Sequence, residues 1–113
     1  MRKVELTFDD FGWETLEAEA ERLQLSLEAL IARAAVYFEG EIDKGRPALQ
    51  LPPAASPEGR ANRELELDIR EGTWQRLRRE ASRQSADVER VLEHAALLFL
   101  ADLDSGRAAE RLL

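Results

Sequence analysis

Carboxylates at alternate positions are the residues of this sequence whose spacing points most directly to a chemistry. In the segment RELELDI, residues 63–69, acidic residues alternate with leucine or isoleucine. A period of two is typical of a β-strand with one buried face, so Glu64, Glu66 and Asp68 are predicted to point outward. Ionised carboxylates accept hydrogen bonds and donate none, so such a face attracts cations and basic side chains and repels phosphate.

Residues able to support catalysis are sparse. His94 is the single histidine, and a helical zinc site of the HxxxH or HExxH type would need a second one. The sequence contains no cysteine and no glycine-rich phosphate loop, since Gly12 and Gly72 stand singly at predicted helix starts. We therefore expect a protein that is not an enzyme, that holds no metal or other cofactor, and that has no small-molecule substrate.

Composition limits the remaining classes. The 113 residues suit one small domain or two half-domains that share a core, and 44% of them are hydrophobic. No apolar run approaches the roughly 20 residues that a membrane span needs. The opening segment MRKVELTF leads into a patterned strand rather than a signal-peptide core, so a cytoplasmic location is expected. The formal charge of −7 lowers the expectation of nucleic-acid binding without excluding a local basic patch.

The second half of the chain repeats the first at a constant spacing of 61 residues and without a gap. The repeats end alike, with DKGR at residues 43–46 and DSGR at 104–107. Two homologous units therefore span residues 1–46 and 63–113, and the proline- and alanine-rich segment 47–62 is predicted to be a linker. Identical residues align at Leu6 and Leu67, Trp13 and Trp74, Leu16 and Leu77, Ala20 and Ala81, and Phe38 and Phe99.

Each unit is predicted to contain one short strand followed by two helices. Asp9 and Asp10 are placed to cap the first helix, and Ser26 and Asp87 to cap the second helix of each unit. A lone strand leaves its backbone unpaired, so the two strands are expected to pair with each other above the long second helices. The predicted fold is mainly α with a two-stranded antiparallel ribbon. The first unit carries its apolar pattern on Val4, Leu6, Phe8, Trp13, Leu16, Ala20, Leu23, Leu27, Leu30, Ile31, Ala34, Ala35, Phe38 and Ile42.

This order of elements, with three alternating apolar residues in each strand, resembles the ribbon-helix-helix family. The separation from Phe8 to Ser26 equals the separation from Ile69 to Asp87, which supports the likeness. The resemblance implies a tandem, single-chain pseudo-dimer whose relatives are mostly DNA-binding regulators. It also implies that outward strand residues read bases in the major groove and that each second-helix N-terminus anchors a phosphate.

The residues at the family's working positions have unusual charges. Relatives usually present arginine, lysine, asparagine or glutamine on the ribbon, because these side chains donate to base edges. Here one base, Lys3, faces four acids, and Asp87 adds a negative charge where a phosphate would bind. The outward positions are Lys3, Glu5, Thr7, Glu64, Glu66 and Asp68, and the phosphate-anchor positions are Ser26 and Asp87.

The first helices of the two units carry opposite charge. Two interpretations stay open: two solvated helix faces, or head-to-tail contact between chains, which would build rings or filaments. The acidic flank is Asp9, Asp10, Glu14, Glu17, Glu19 and Glu21, and the basic flank is Arg70, Arg76, Arg78, Arg79 and Arg83.

A second difference between the units lies in the last helix. Leu97, Leu98 and Leu100 stand where the first unit has Val36, Tyr37 and Glu39, so this helix is apolar nearly all round. Either a fuller intrachain core or the tail RAAERLL covers these leucines, or they form a surface for a partner or for self-association.

Two hypotheses for function remain. The first is a ribbon-helix-helix descendant that binds a protein partner or its own kind. The alternative is a DNA-binding transcriptional regulator that uses Lys3, Thr7, Arg2, Arg63 and the helix of the basic flank. The charge of the ribbon favours the first hypothesis.

Overall fold

The structure is a computed structural model, and it describes residues 1–45, Leu51 and residues 59–106. The chain is mainly helical, with one two-stranded antiparallel sheet, as predicted. The elements in chain order are β1 (Arg2–Asp9), α1 (Asp10–Arg22), α2 (Leu27–Asp43), β2 (Arg60–Leu67), α3 (Glu71–Arg83) and α4 (Val88–Ser105).

The second strand begins earlier than its alternating pattern predicted. β2 starts at Arg60, so residues 60–62 belong to the sheet and not to the linker, while Asp68 and Ile69 follow the strand. Contacts with the first unit extend the strand at this end. The Arg60 guanidinium donates to the Thr7 carbonyl at 2.9 Å, and the Trp13 indole N–H donates to the Ala61 carbonyl at 2.9 Å.

Three of the four helices that the structure describes begin with a side-chain cap. Asp9 accepts a hydrogen bond from the Gly12 amide, Ser26 from the Ala29 amide, and Asp87 from the Arg90 amide. The capping roles predicted for Ser26 and Asp87 are confirmed, and α1 is capped by Asp9. Helix α3 differs, because its N-cap is Arg70, whose side chain forms no capping hydrogen bond.

We expect Arg70→Asp to stabilise the protein by about 1 kcal/mol. Aspartate would supply the missing cap and would replace a cation that faces the positive end of the α3 dipole. Asp9→Ala is the matched control, and it should destabilise by a similar amount because it removes an existing cap. Urea unfolding measures both changes, and an unchanged or lower stability for Arg70→Asp would contradict the prediction.

The core lies between the ribbon and the central pair of helices, α2 and α4, which contact each other as well as α1 and α3. The inner face of the ribbon buries Val4, Leu6, Phe8, Leu65 and Leu67 against these helices. Of residues 47–58, only Leu51 is described. Leu51 packs against the core. Its backbone amide donates a hydrogen bond to the side-chain oxygen of Gln84 at 2.7 Å.

Equivalent positions of the two units share unusual features. Gln24 and Ser85, which align in the repeat, both adopt the left-handed conformation between helices, with φ of 58° and 55°. Glu41 and Asp102 also align, and both are buried.

Candidate interaction surfaces

The outer face of the ribbon is an exposed, mostly acidic surface. Register places Lys3 opposite Glu66, Glu5 opposite Glu64, and Thr7 opposite Asn62. All the charged members of this face are exposed and Thr7 is half-buried. We call this surface the ribbon face, and it comprises Lys3, Glu5, Thr7, Asn62, Glu64, Glu66 and, just after the strand, Asp68.

Most donors on the ribbon face already have intramolecular partners. The Lys3 ammonium lies 3.7 Å from a carboxylate oxygen of Glu64, and the Asn62 amide donates to Glu5 at 2.8 Å. The Thr7 hydroxyl is hydrogen-bonded to the Asn62 side-chain oxygen. Asn62 was missed by the sequence pattern, because it stood in the predicted linker. The face therefore offers acceptors and excess negative charge to any ligand.

Ser26 and Asp87, which the resemblance predicted as phosphate anchors, lie at the starts of α2 and α4. The Ser26 hydroxyl accepts from the Ala29 amide at 3.1 Å, and the Asp87 carboxylate accepts from the Arg90 amide at 3.0 Å. At the start of α4, a fixed negative charge thus occupies the position that an anion would take.

Arg2 lies at one end of the ribbon, opposite Leu67, and Arg63 lies nearer its middle, opposite Leu6. Each packs against a tryptophan of the other unit. The Arg2 guanidinium lies 4.6 Å from the centroid of the Trp74 ring, and that of Arg63 lies 4.5 Å from the Trp13 ring. Arg2 also pairs with Glu71, and Arg63 pairs with Glu17. These two candidate DNA contacts are therefore engaged within the molecule, where they join the units.

The acidic flank divides into engaged and open side chains. Asp9 caps its helix, Glu17 pairs with Arg63, and Glu19 pairs with Arg22. Asp10, Glu14 and Glu21 are exposed, and they form no ion pair within the described ranges.

The basic flank divides in the same way. Arg76 pairs with Asp43, and Arg83 pairs with Glu80, whose pKa is lowered chiefly by the hydrogen bond from Arg83. Arg70, Arg78 and Arg79 are exposed and have no ion pair among the residues that the structure describes.

The leucines of α4 differ in burial. Leu98 and Leu100 are half-buried and pack against the core, as the intrachain interpretation predicts. Leu97 is 45% exposed, and Val36, its counterpart in α2, is 48% exposed. The tail that was considered as a cover lies outside the described residues.

A buried polar cluster between the ends of α2 and α4 was missed by the sequence reasoning. The Tyr37 hydroxyl donates to Asp102 at 2.6 Å and lies 3.2 Å from a carboxylate oxygen of Glu41. Burial and the bond to Asp102 raise the pKa of the Tyr37 phenol. The repeat itself carried a usable signal, because both units place an acid at the same position within an apolar stripe.

Glu93 and His94 are neighbouring titratable residues on α4, and both are half-buried. The Glu93 carboxylate accepts the Thr7 amide at 2.9 Å, and burial raises its pKa. The His94 ring packs edge-on against Phe38 with centroids 5.9 Å apart, and burial lowers its pKa. Its Nε2 atom is buried and has no hydrogen-bond partner within the described part of the chain.

We expect His94→Leu to remove a component of acid sensitivity. The folded protein favours neutral His94, so as pH falls below the ordinary value of 6.5 the unfolded chain takes up the proton first and stability is lost. The variant should be more stable by about 1 kcal/mol at pH 7.5, because an unsatisfied nitrogen is removed. Its advantage should grow between pH 7.5 and pH 5. A constant difference in urea unfolding energies across that range would refute the assignment.

Within the described ranges, no helix is both long and apolar enough to cross a membrane, and no group of three metal-binding side chains converges. We found no match to this chain among protein-family models, curated proteins or solved structures.

Proposed function

We propose that the chain is a tandem ribbon-helix-helix pseudo-dimer, with one unit formed by β1, α1 and α2 and the other by β2, α3 and α4. The strand register supports this proposal, because Val4 lies opposite Leu65, its own counterpart in the repeat. The crossed stacking of Arg2 on Trp74 and Arg63 on Trp13 supports it too, since each contact is the repeat equivalent of the other.

We propose further that the protein is a non-enzymatic interaction module whose ribbon face binds a basic segment of a protein partner. The observation that carries this proposal is the set of four exposed carboxylates on Glu5, Glu64, Glu66 and Asp68, set against the single ammonium of Lys3. We also propose a cytoplasmic location, since the sequence contains no cysteine for the disulfides that oxidising compartments favour.

The geometry of a strand favours an extended basic ligand. Side chains two residues apart on one face of a strand are separated by about 6.5–7 Å. Lysine or arginine residues at alternate positions of an extended segment repeat at the same distance. Such a segment can therefore present one cation to each of Glu64 and Glu66 while its backbone stays solvated.

DNA binding is the second candidate, and the exposed Arg78 and Arg79 of α3 favour it. A two-stranded ribbon also fits the width of the major groove. Against it, the carboxylates of the ribbon face would enter a groove lined by phosphates, and Lys3 is already paired with Glu64. The charge of the surface that would read the bases therefore favours protein binding.

Fluorescence anisotropy tests the proposal with two labelled probes, an alternating lysine-containing peptide and a mixed-sequence DNA duplex, at about 50 mM salt, where even non-specific DNA binders hold on. The peptide should bind, and Glu64→Gln with Glu66→Gln should weaken its binding about tenfold or more. The matched control is Glu21→Gln with Asp104→Asn, which removes two charges elsewhere and should change little.

Tight binding of the duplex by the native protein, lost when Arg78 and Arg79 are replaced by glutamine, would favour the DNA regulator instead. Equal effects of the ribbon variant and its control would show that net charge, and not the ribbon face, attracts the peptide.

A further inference from the structure

Helices α1 and α3 expose opposite charges that the described part of the chain leaves unpaired. On α1 the open acids are Asp10, Glu14 and Glu21, whose spacings of four and seven residues place them along one stripe of the helix. On α3 and its cap the open bases are Arg70, Arg78 and Arg79. Within the described ranges each set contains three unpaired side chains, and the charges of the two sets are opposite.

The acidic surface also carries an exposed aromatic ring. Phe11 is 77% exposed, and it lies in the first turn of α1 beside Asp10. Aromatic residues are enriched among the side chains that contribute most to protein interfaces. The equivalent position of α3 is Gly72, and a Cβ atom placed there would meet no other atom within 4 Å. Next to the bases, α3 is therefore open to an approaching side chain.

The cap of α3 adds a separate observation. Its partner helix uses Asp9 as a cap, whereas α3 has Arg70, which forms no side-chain cap bond. A cation at this end of a helix opposes the helix dipole and lowers stability. Arginine at this position makes the surface basic and lowers the stability of the helix.

We propose that the acidic surface of α1 in one molecule binds the basic surface of α3 in a second copy of this chain. Both helices pack on the central pair α2 and α4, so the two surfaces belong to different parts of one molecule and are exposed together. Contact between two copies leaves one surface of each kind unused, so assembly continues into a ring or filament. The ribbon face takes no part, and this assembly can fail or hold independently of the peptide binding proposed above.

Arg76 and Arg83 are left out of this contact because they already pair with Asp43 and Glu80. Substituting them would disturb the fold as well as the surface. Reversal of Arg78 and Arg79 alone is therefore the sharper test.

The experiment uses light scattering on the full chain at about 0.15 M salt, with two charge-reversed variants. Glu14→Arg with Glu21→Arg makes both surfaces basic, and Arg78→Glu with Arg79→Glu makes both acidic. The native protein should form concentration-dependent oligomers that dissociate near 0.5 M salt, where exposed ion pairs are screened. Each variant alone should associate at least tenfold more weakly, and an equimolar mixture of the two should assemble again.

The mixture separates the contact from a general effect of charge, because both variants keep a net negative charge and only their complementary helix surfaces draw them together. Glu28→Arg with Asp104→Arg, which lies outside both helix surfaces and the ribbon face, is the charge-matched control and should assemble as the native protein does. Circular dichroism checks that every variant is folded. A native protein that stays monomeric at millimolar concentration, or a folded mixture that fails to assemble, would overturn the proposal, whereas the peptide assay would be unaffected.

Discussion

Trp13→Ala is expected to lower the free energy of unfolding by about 3–5 kcal/mol, whereas Trp74→Ala should lower it by only about 1–2 kcal/mol. The two residues are equivalent in the repeat, but their surroundings differ. Trp13 is 1% exposed, its ring meets Phe8 edge-on with centroids 4.8 Å apart, and its indole N–H donates to the Ala61 carbonyl. Trp74 is half-buried, and the Arg2 guanidinium covers its ring.

Urea unfolding followed by circular dichroism measures both losses. Small domains have total stabilities of about 5–15 kcal/mol, so Trp13→Ala is expected to leave a marginal fold. Trp13→Phe is a useful control, since it keeps an aromatic ring beside Phe8 and removes the hydrogen bond to Ala61. Similar losses for the two alanine variants would mean that the tryptophans contribute equally and that the described asymmetry has no energetic consequence.

Separating the units is expected to abolish folding of each one at micromolar concentration. The fragments 1–46 and 59–113 each retain one strand of the ribbon, and a single strand has no partner for its backbone groups. Each fragment also loses the opposing half of the core, in which α2 packs against α4. Mixing the fragments should restore helical structure, because every element of the fold is then present.

The ribbon register also predicts which pairing the fragments choose. In the joined chain Lys3 faces Glu66, and only Glu5 faces another acid, Glu64. Two copies of the second unit in the same register would place Glu64 opposite Glu66 twice. Each like-charged cross-strand pair costs about 0.2–1 kcal/mol, so a homodimer of the second unit is disfavoured.

Circular dichroism and analytical ultracentrifugation of each fragment and of their mixture test this prediction. The complex that forms in the mixture should contain one copy of each fragment. A second-unit fragment that forms a stable homodimer even in the presence of the first would contradict the role assigned to the cross-strand charges. A monomeric, folded fragment would contradict the shared core.

Several local features were predictable because they depend on periodicity and on short-range hydrogen bonding. The alternation of Val4, Leu6 and Phe8 and the positions of Ser26 and Asp87 sufficed for the strand and for two helix starts. The start of β2 was not predictable, since residues 60–62 lack an apolar pattern. They join the sheet because Thr7 and Trp13, distant in the sequence, bond to Arg60 and Ala61.

The candidate surfaces were likewise predictable only in part from the sequence. Charge and exposure of Glu64 and Glu66 followed from a period of two, which depends only on the pleat of a strand. Which charges remain open did not follow, because it depends on contacts between distant segments. Arg63 reaches Glu17 and the Trp13 ring. Within α3, Arg76 pairs with Asp43 and Arg83 with Glu80, so Arg78 and Arg79 are the arginines of this helix without an ion pair in the described part of the chain.

The sequence by itself determined the repeat, the helical fold with its two-stranded ribbon, and the acidic outer face, since each depends on residue spacing along a single element. Only the tertiary structure decided how equivalent positions of the two units differ, for example in the burial of Trp13 and Trp74 and in the pairing of their arginines. The physical reason is that burial and ion pairing are set by the neighbours that packing brings together, and those neighbours are not adjacent in the chain.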